Sequence, residues 1–233
     1  RKKLNFKNYT NDLKELLKLD CVFLVCPSKF HYNYLKHFNK NKYKGYIFCE
    51  KPPVLTTKEL NYLKKINLNR IYFNFNLRHS KLYEQLRRCK KLGNLVSINI
   101  FDSKPLIFKK SIKNDWRFKN KSTLVTNNLI HYVDLVFALT GEKPLINNIH
   151  CSKINKKFNL YDSIHLTQKF KDFITNINIS YATALEKNYN FYFTNGKVEF
   201  KDDYLRIFYP AKIYDRNNRF SNPPLRKKIF IKN

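Results

Sequence analysis

Apolar and polar positions alternate in blocks through the first third of the chain. Leu13, Leu16 and Leu17 recur at helical spacing over residues 11–19. Residues 21–26 (CVFLVC) form a continuous apolar run, the pattern of a strand buried on both faces. Pro27 and Ser28 end it, and residues 30–39 read as a second helix. Gly45 leads into a short strand over 46–49, stopped by Glu50-Lys51-Pro52-Pro53. Thr56 with Glu59 makes a capping box that opens a helix through about residue 66, and 71–76 is a third strand. Strands separated by single helices and short links predict a parallel sheet with right-handed crossovers.

The pattern changes after Arg78. Residues 80–91 are helical, Gly93 stops them, and 95–102 reads as a strand. Trp116 and Arg117 sit in a polar connection, and a long apolar helix is expected over 124–140, closed by Gly141. From Ser163 only strands are expected, over 163–170, 173–181, 189–194, 197–201 and 204–209. Thr194-Asn195-Gly196-Lys197 is a hairpin signal within that antiparallel meander. The basic tail 215–233, with Pro223-Pro224, is expected to be loosely attached. The predicted fold class is α/β plus α+β. A partial parallel sheet over residues 1–77 precedes a mostly antiparallel sheet over 78–233 with helices on one face.

Composition changes this picture in three respects. The net charge is +29, from 46 basic and 17 acidic residues, which suggests a nucleic-acid or anionic-surface binder. Against this, the lysines are spread along the whole chain, and Lys, Asn, Ile, Phe and Tyr are in excess together. An AT-rich genome imposes that composition, so nucleic-acid binding is the weakest of three functional readings. The five cysteines have no CxxC spacing, which argues against a disulfide framework or a zinc site and for a reducing cytoplasm. No apolar run reaches the roughly 20 residues that span a bilayer, and the sequence starts at Arg1 with no Met anywhere, as a fragment would.

Ligands of open parallel sheets bind beyond the carboxyl ends of the strands. Cys26, Pro27 and Ser28 follow the first strand, Glu50, Lys51 and Pro52 the second, Asn76 and Arg78 the third. Lys51 stands out, because a lysine straight after a buried strand and pinned by prolines can move a proton. The alternative is a solvated loop. His31 lies just past Ser28 and can approach the same place, or serve as a cap. On the long helix Asn127, His131 and Asp134 fall at i, i+4 and i+7, a polar stripe on a largely apolar helix. His131 suits general acid/base work, with Asp134 orienting it or binding substrate. A structurally satisfied histidine is the competing reading. No residues have metal-ligand spacing, and no GxGxxG loop is present.

Residues 20–31 (DCVFLVCPSKFH), followed by Cys49-Glu50-Lys51-Pro52, closely resemble the Gfo/Idh/MocA family of NAD(P)-dependent oxidoreductases. Leu92-Gly93-Asn94-Leu95, Trp116-Arg117, and Asn127 to Asp134 with Leu139-Thr140-Gly141 continue the match in order, over about residues 11–145. The resemblance implies that residues 1–77 are the C-terminal part of a Rossmann-like dinucleotide-binding domain, and 78–233 a substrate and oligomerisation domain. It implies Lys51 and His131 as catalytic residues, and Arg117, Asn127 and Asp134 as substrate-binding ones. Cys26, Pro27, Ser28, His31, Glu50 and Lys51 would line NAD or NADP. The reaction implied is hydride transfer between the dinucleotide and a sugar or sugar-nucleotide carbinol, in a cytoplasmic homo-oligomer built through the C-terminal sheet. Lys51 and His131 would then meet at one cleft. The chain departs from the family in lacking the opening strand and GxGxxG turn, and in carrying Ser122, Thr123, Leu124 and Leu129 where small residues are usual. These departures leave room for an inactive remnant or binding protein of the same fold.

Overall fold

A computed structural model describes residues 10–109, 118, 123–156, 159–209 and 214–231. The chain divides into two compact units, residues 1–75 and 76–233.

The first unit runs α1 (Leu13–Leu16), β1 (Cys21–Leu24), α2 (His31–Lys40), β2 (Tyr46–Glu50), α3 (Thr57–Leu63) and β3 (Ile71–Asn74). The three strands are parallel in the order β1-β2-β3, with Val22 beside Ile47 and Ile47 beside Ile71. The capping box is present: Thr56 Oγ1 accepts from the Glu59 backbone N–H, and the Glu59 carboxylate accepts from the Thr56 backbone N–H. Leu35 and Phe38 of α2 and Leu63 of α3 bury one sheet face, that of Val22, Leu24, Ile47 and Cys49. The other face is open among the described residues, which corrects the reading of β1 as buried on both sides. Phe23 is 65% exposed. It stacks on Phe48 at 5.0 Å, and Phe48 stacks on Tyr72 at 5.2 Å, so the outward rings cover one another across the strands.

The second unit begins with a 3₁₀ turn, Asn76–His79, and α4 (Lys81–Arg87), then β4 (Leu95–Ser103). A π turn over Val125–Leu129 leads into α5 (Ile130–Thr140), which Gly141 closes in the left-handed conformation at φ 74°. The remaining strands are β5 (Ile146–Ser152), β6 (Ser163–Lys169), β7 (Ile174–Ser180), β8 (Glu186–Phe193), β9 (Gly196–Lys201), β10 (Tyr204–Phe208) and β11 (Leu225–Phe230). They form one sheet in the order β11-β10-β9-β8-β4-β7-β6-β5. Every pair is antiparallel except β4 with β7. The hairpin turn between β8 and β9 is Thr194-Asn195, one residue before the expected centre. Gly196 already pairs with Phe193 as the first residue of β9, and a Cβ on it would collide with the Phe208 carbonyl oxygen.

One face of this sheet is the core. Ile98 and Ile100 of β4, Ile177 of β7 and Phe191 of β8 pack with Leu82 and Leu86 of α4 and Leu135 of α5. The other face is polar. His165 Nδ1 lies 2.5 Å from Asn178 Oδ1, Thr167 Oγ1 donates to Asn176 Oδ1 at 3.2 Å, and Asn176 Nδ2 donates to Asn99 Oδ1 at 3.0 Å. Two strands depart from expectation. β5 is exposed along its whole length, and β11 pairs with β10 where a loose tail was expected.

Candidate active site

Side chains fasten the carboxyl ends of β1 and β2 together. The His31 ring, 1% exposed, has Nδ1 2.9 Å from the Pro52 carbonyl oxygen and Nε2 2.8 Å from that of Cys26. Both neighbours are acceptors, so the neutral ring donates to one and the doubly protonated ring to both. Either way His31 bridges the loop after β1 to the loop after β2 and has no nitrogen left for a ligand. Glu50, the last residue of β2, accepts a hydrogen bond from Asn74 Nδ2 of β3 at 2.6 Å. Lys51 is half-buried between these two ties, joined to Pro52 by a cis peptide bond. Cys26, Pro27 and Ser28 are also half-buried. Burial pushes the Cys26 thiol up, and pushes that of Cys49 up to about 12, so neither is a ready nucleophile.

Asn127, His131 and Asp134 come together on the π turn and α5. A π turn closes its hydrogen bonds from i to i+5 and takes more residues per turn than an α turn. Asn127 therefore stands nearly one full turn from His131, and both are half-buried. Tyr181 of the β7 end donates to Asn128 Oδ1 at 3.0 Å, which pins the turn. Thr123, Leu124 and Leu129 are buried at 2%, 0% and 3% exposure. Leu124 and Leu129 are part of the core, so their bulk goes into packing.

Asp134 is fully engaged. Arg78 Nε donates to its Oδ2 at 2.7 Å, and Arg78 Nη2 to its Oδ1 at 2.6 Å. This bidentate pair holds the arginine above its ordinary range. Sequence reasoning named both residues but missed their pairing, since 56 residues separate them. It also missed a buried group beside His131. Tyr132 donates to Asp102 Oδ2 at 2.6 Å, and its oxygen lies 2.8 Å from the Tyr189 hydroxyl. The signal was available, because Asp102 shares the strand parity of Ile98 and Ile100 and so falls on the core face. Arg117 lies outside the described residues. Among the described residues no cluster of His, Cys, Asp and Glu fits a metal ion.

The strand-end loops offer main-chain groups, prolines, a serine and protonated thiols. That donor set fits the carboxamide of a nicotinamide, whose ring is cationic when oxidised and neutral when reduced. The glycines stand singly at 45, 93, 141 and 196, and none opens a helix, so the described residues hold no glycine-rich cradle for a pyrophosphate.

Residues 1–68 match the model of Gfo/Idh/MocA, an oxidoreductase family with an NAD-binding Rossmann fold. No curated protein sequence matches the chain. Solved structures do. Levoglucosan dehydrogenase, in complex with NADH and levoglucosan, is 16% identical, with a TM-score of 0.76 over 98% of this chain and 66% of that one. An inositol dehydrogenase homologue from Azotobacter vinelandii, complexed with NAD+, is 13% identical, with a TM-score of 0.75 over 93% of this chain and 59% of that one. UDP-N-acetylglucosamine 3-dehydrogenase from Acidithiobacillus ferrooxidans is 18% identical, with a TM-score of 0.70 over 94% and 68%. The chain has the fold of these dehydrogenases. It spans less than two thirds of the length of the first two structures. Among the described residues, no helix is long and apolar enough to cross a membrane.

Proposed function

We propose that this chain serves hydride transfer between NAD or NADP and a carbinol or ketone carbon of a sugar or sugar nucleotide. The observation that carries the reading is the Glu50-Lys51-Pro52 turn, held by His31 and Asn74 at the carboxyl end of β2, within the stretch that matches the family model. When bound, the oxidised dinucleotide accepts the hydride from the carbinol carbon. The hydroxyl proton leaves to a side chain, so the products are a ketone, the reduced cofactor and a protonated base. His131 takes that proton, directly or through one water, and Lys51 assists proton transfer. Asn127 offers its amide to a neighbouring hydroxyl, with Arg117 as a further substrate contact. Asp134 acts mainly by holding α5 through Arg78, since both its oxygens are in use. Cys26, Pro27, Ser28 and the bridged His31 line the cofactor by backbone and shape.

On this reading the first unit binds the dinucleotide, and the second binds the substrate and assembles copies of the chain. The five cysteines are unpaired, in keeping with a reducing cytoplasm. The test is NAD(P)-dependent turnover on a panel of sugars and sugar nucleotides. Lys51→Ala and His131→Ala should each lower kcat by roughly 10²-fold or more, as for a lost general acid/base, with the unfolding midpoint little changed. Undiminished turnover in His131→Ala would overturn the proposal. Tight dinucleotide binding without any turnover would instead favour a binding protein of the same fold.

A further inference from the structure

The phase of α5 is weakly determined by its apolar residues. Tyr132, Leu135 and Val136 are buried, yet Phe137 on another side is 42% exposed, and Ile130, Val133 and Leu139 are partly buried. A helix that is apolar on nearly every side gains similar burial at several rotations. Two polar pegs resolve this. On one flank Tyr132 reaches Asp102 of β4 and Tyr189 of β8; on the other Asp134 is clamped by Arg78. At roughly 100° per residue, Tyr132 and Asp134 lie to either side of His131 around the helix axis.

The Asp102 peg is costly. Asp102 is 2% exposed, and its Oδ1 has no hydrogen-bond partner among the described residues. A half-satisfied buried carboxylate loses stability relative to an apolar side chain of the same shape. What it supplies is direction: Tyr132 has one proton, which goes to Asp102 Oδ2, so Tyr189 donates to the Tyr132 oxygen. Burial, then the neighbouring Tyr189 and Asp102, raise the Tyr132 hydroxyl well above the ordinary phenol range, so it stays a donor.

We infer that Asp102 and Tyr132 are positioning residues for His131, setting the rotation of α5 that aims its imidazole at the substrate hydroxyl. The inference rests on the reading of His131 as the group that moves the hydroxyl proton. Buried polar groups that fix a unique packing at a cost in stability are a known device.

The test follows the six histidine rings of the 233-residue chain by NMR, with His131 assigned from its loss in His131→Gln. In Tyr132→Phe, which keeps the ring and removes the hydroxyl, the His131 resonances should shift and split into more than one set. His165, on the polar face of the sheet, should not move. Asp102→Asn keeps an acceptor for Tyr132 and should retain a single His131 set. Tyr189→Phe removes only the outer donor and should shift His131 in the same direction by less, and it decides the matter if Tyr132→Phe does not fold. In turnover, Tyr132→Phe should lower kcat, normalised to the folded fraction, by about tenfold with KM little changed; a kcat per folded chain equal to the parent's would show only lost protein. His131 resonances that superimpose on the parent's in every folded variant overturn the inference. If they move while the parent shows no NAD(P)-dependent turnover, the dehydrogenase reading fails and the positioning role stands.

Discussion

At the scale of single residues, the buried protonated groups make stability depend on pH from the alkaline side. Burial, then the charges of Cys26 and Glu50, push the Cys49 thiol from 9.0 up to about 12, and burial raises the Tyr132 and Tyr189 hydroxyls as well. The folded chain keeps these protons at pH values where the unfolded chain has released them. The unfolded state then binds fewer protons, so the unfolding free energy falls as pH rises, beginning near 9. Urea unfolding at about pH 7 and about pH 10 should show the loss, and Cys49→Ala should reduce it; a flat profile would contradict the argument. The Arg78–Asp134 pair gives a second expectation. Arg78→Ala leaves a carboxylate that is 9% exposed without its two donors. Breaking a fully buried pair costs 3–5 kcal/mol, and the 40% exposure of Arg78 reduces this to about 2 kcal/mol. Adding Asp134→Asn to Arg78→Ala should recover part of that loss in the denaturation midpoint, because no buried charge is then stranded.

At the scale of elements, the features that were legible in the sequence are those set by a few neighbouring residues. Thr56 and Glu59 announced the start of α3, and both halves of the box are made. Thr56→Ala should cost about 1 kcal/mol of stability by denaturant unfolding, while Thr56→Ser should be nearly neutral. A loss for Ser as large as that for Ala would show that the threonine methyl, not the cap, holds the helix start. The hairpin between β8 and β9 was legible for the same reason, although its turn is Thr194-Asn195 and not Asn195-Gly196. Elements that depend on distant partners were not. β5 (INNIHCS) has neither a buried face nor an apolar alternation, so nothing local marks it as a strand. β11 (LRKKIF) follows two prolines and carries three basic residues, so its composition reads as a tail until β10 is there to pair with it. The CVFLVC run marked β1 correctly, but apolar character cannot tell a covered face from one where stacked rings shield each other. The helix expected over 124–140 was right in place, but its first turn is π, and no residue type in VTNNL encodes the extra residue per turn.

At the scale of the whole molecule, the proposed site was legible where it is contiguous and hidden where it is assembled. Cys26, Pro27 and Ser28 lie just beyond β1, and Glu50 ends β2 with Lys51 next to it, so each stretch could be read as a local motif. The Asp102–Tyr132 and Tyr132–Tyr189 bonds span 30 and 57 residues and needed the fold. The same holds for the assembly surface. The meander's aromatics divide between the faces: Phe170, Phe173, Tyr181, Phe191 and Phe200 are buried in the core, while Tyr192 of β8 is exposed. The face left open is the ladder of Asn99, Asn176, Thr167, His165 and Asn178. A homo-oligomer built on it is therefore held by hydrogen bonds and bridging water, not by apolar burial. Each copy also carries a net charge of +29, so two copies repel at long range, and salt screens that repulsion. Association should thus strengthen as ionic strength rises, the reverse of an interface held by opposite charges. Light scattering at micromolar concentration should give a multiple of 28.2 kDa in about 0.3 M salt and drift toward the monomer at low salt. Asn99→Arg, in the middle of the ladder, should return the monomer in both. A mass of one chain at every salt concentration would rule out this face as the assembly surface, and an oligomer indifferent to Asn99→Arg would move the contact elsewhere, with the exposed β5 edge the first place to look.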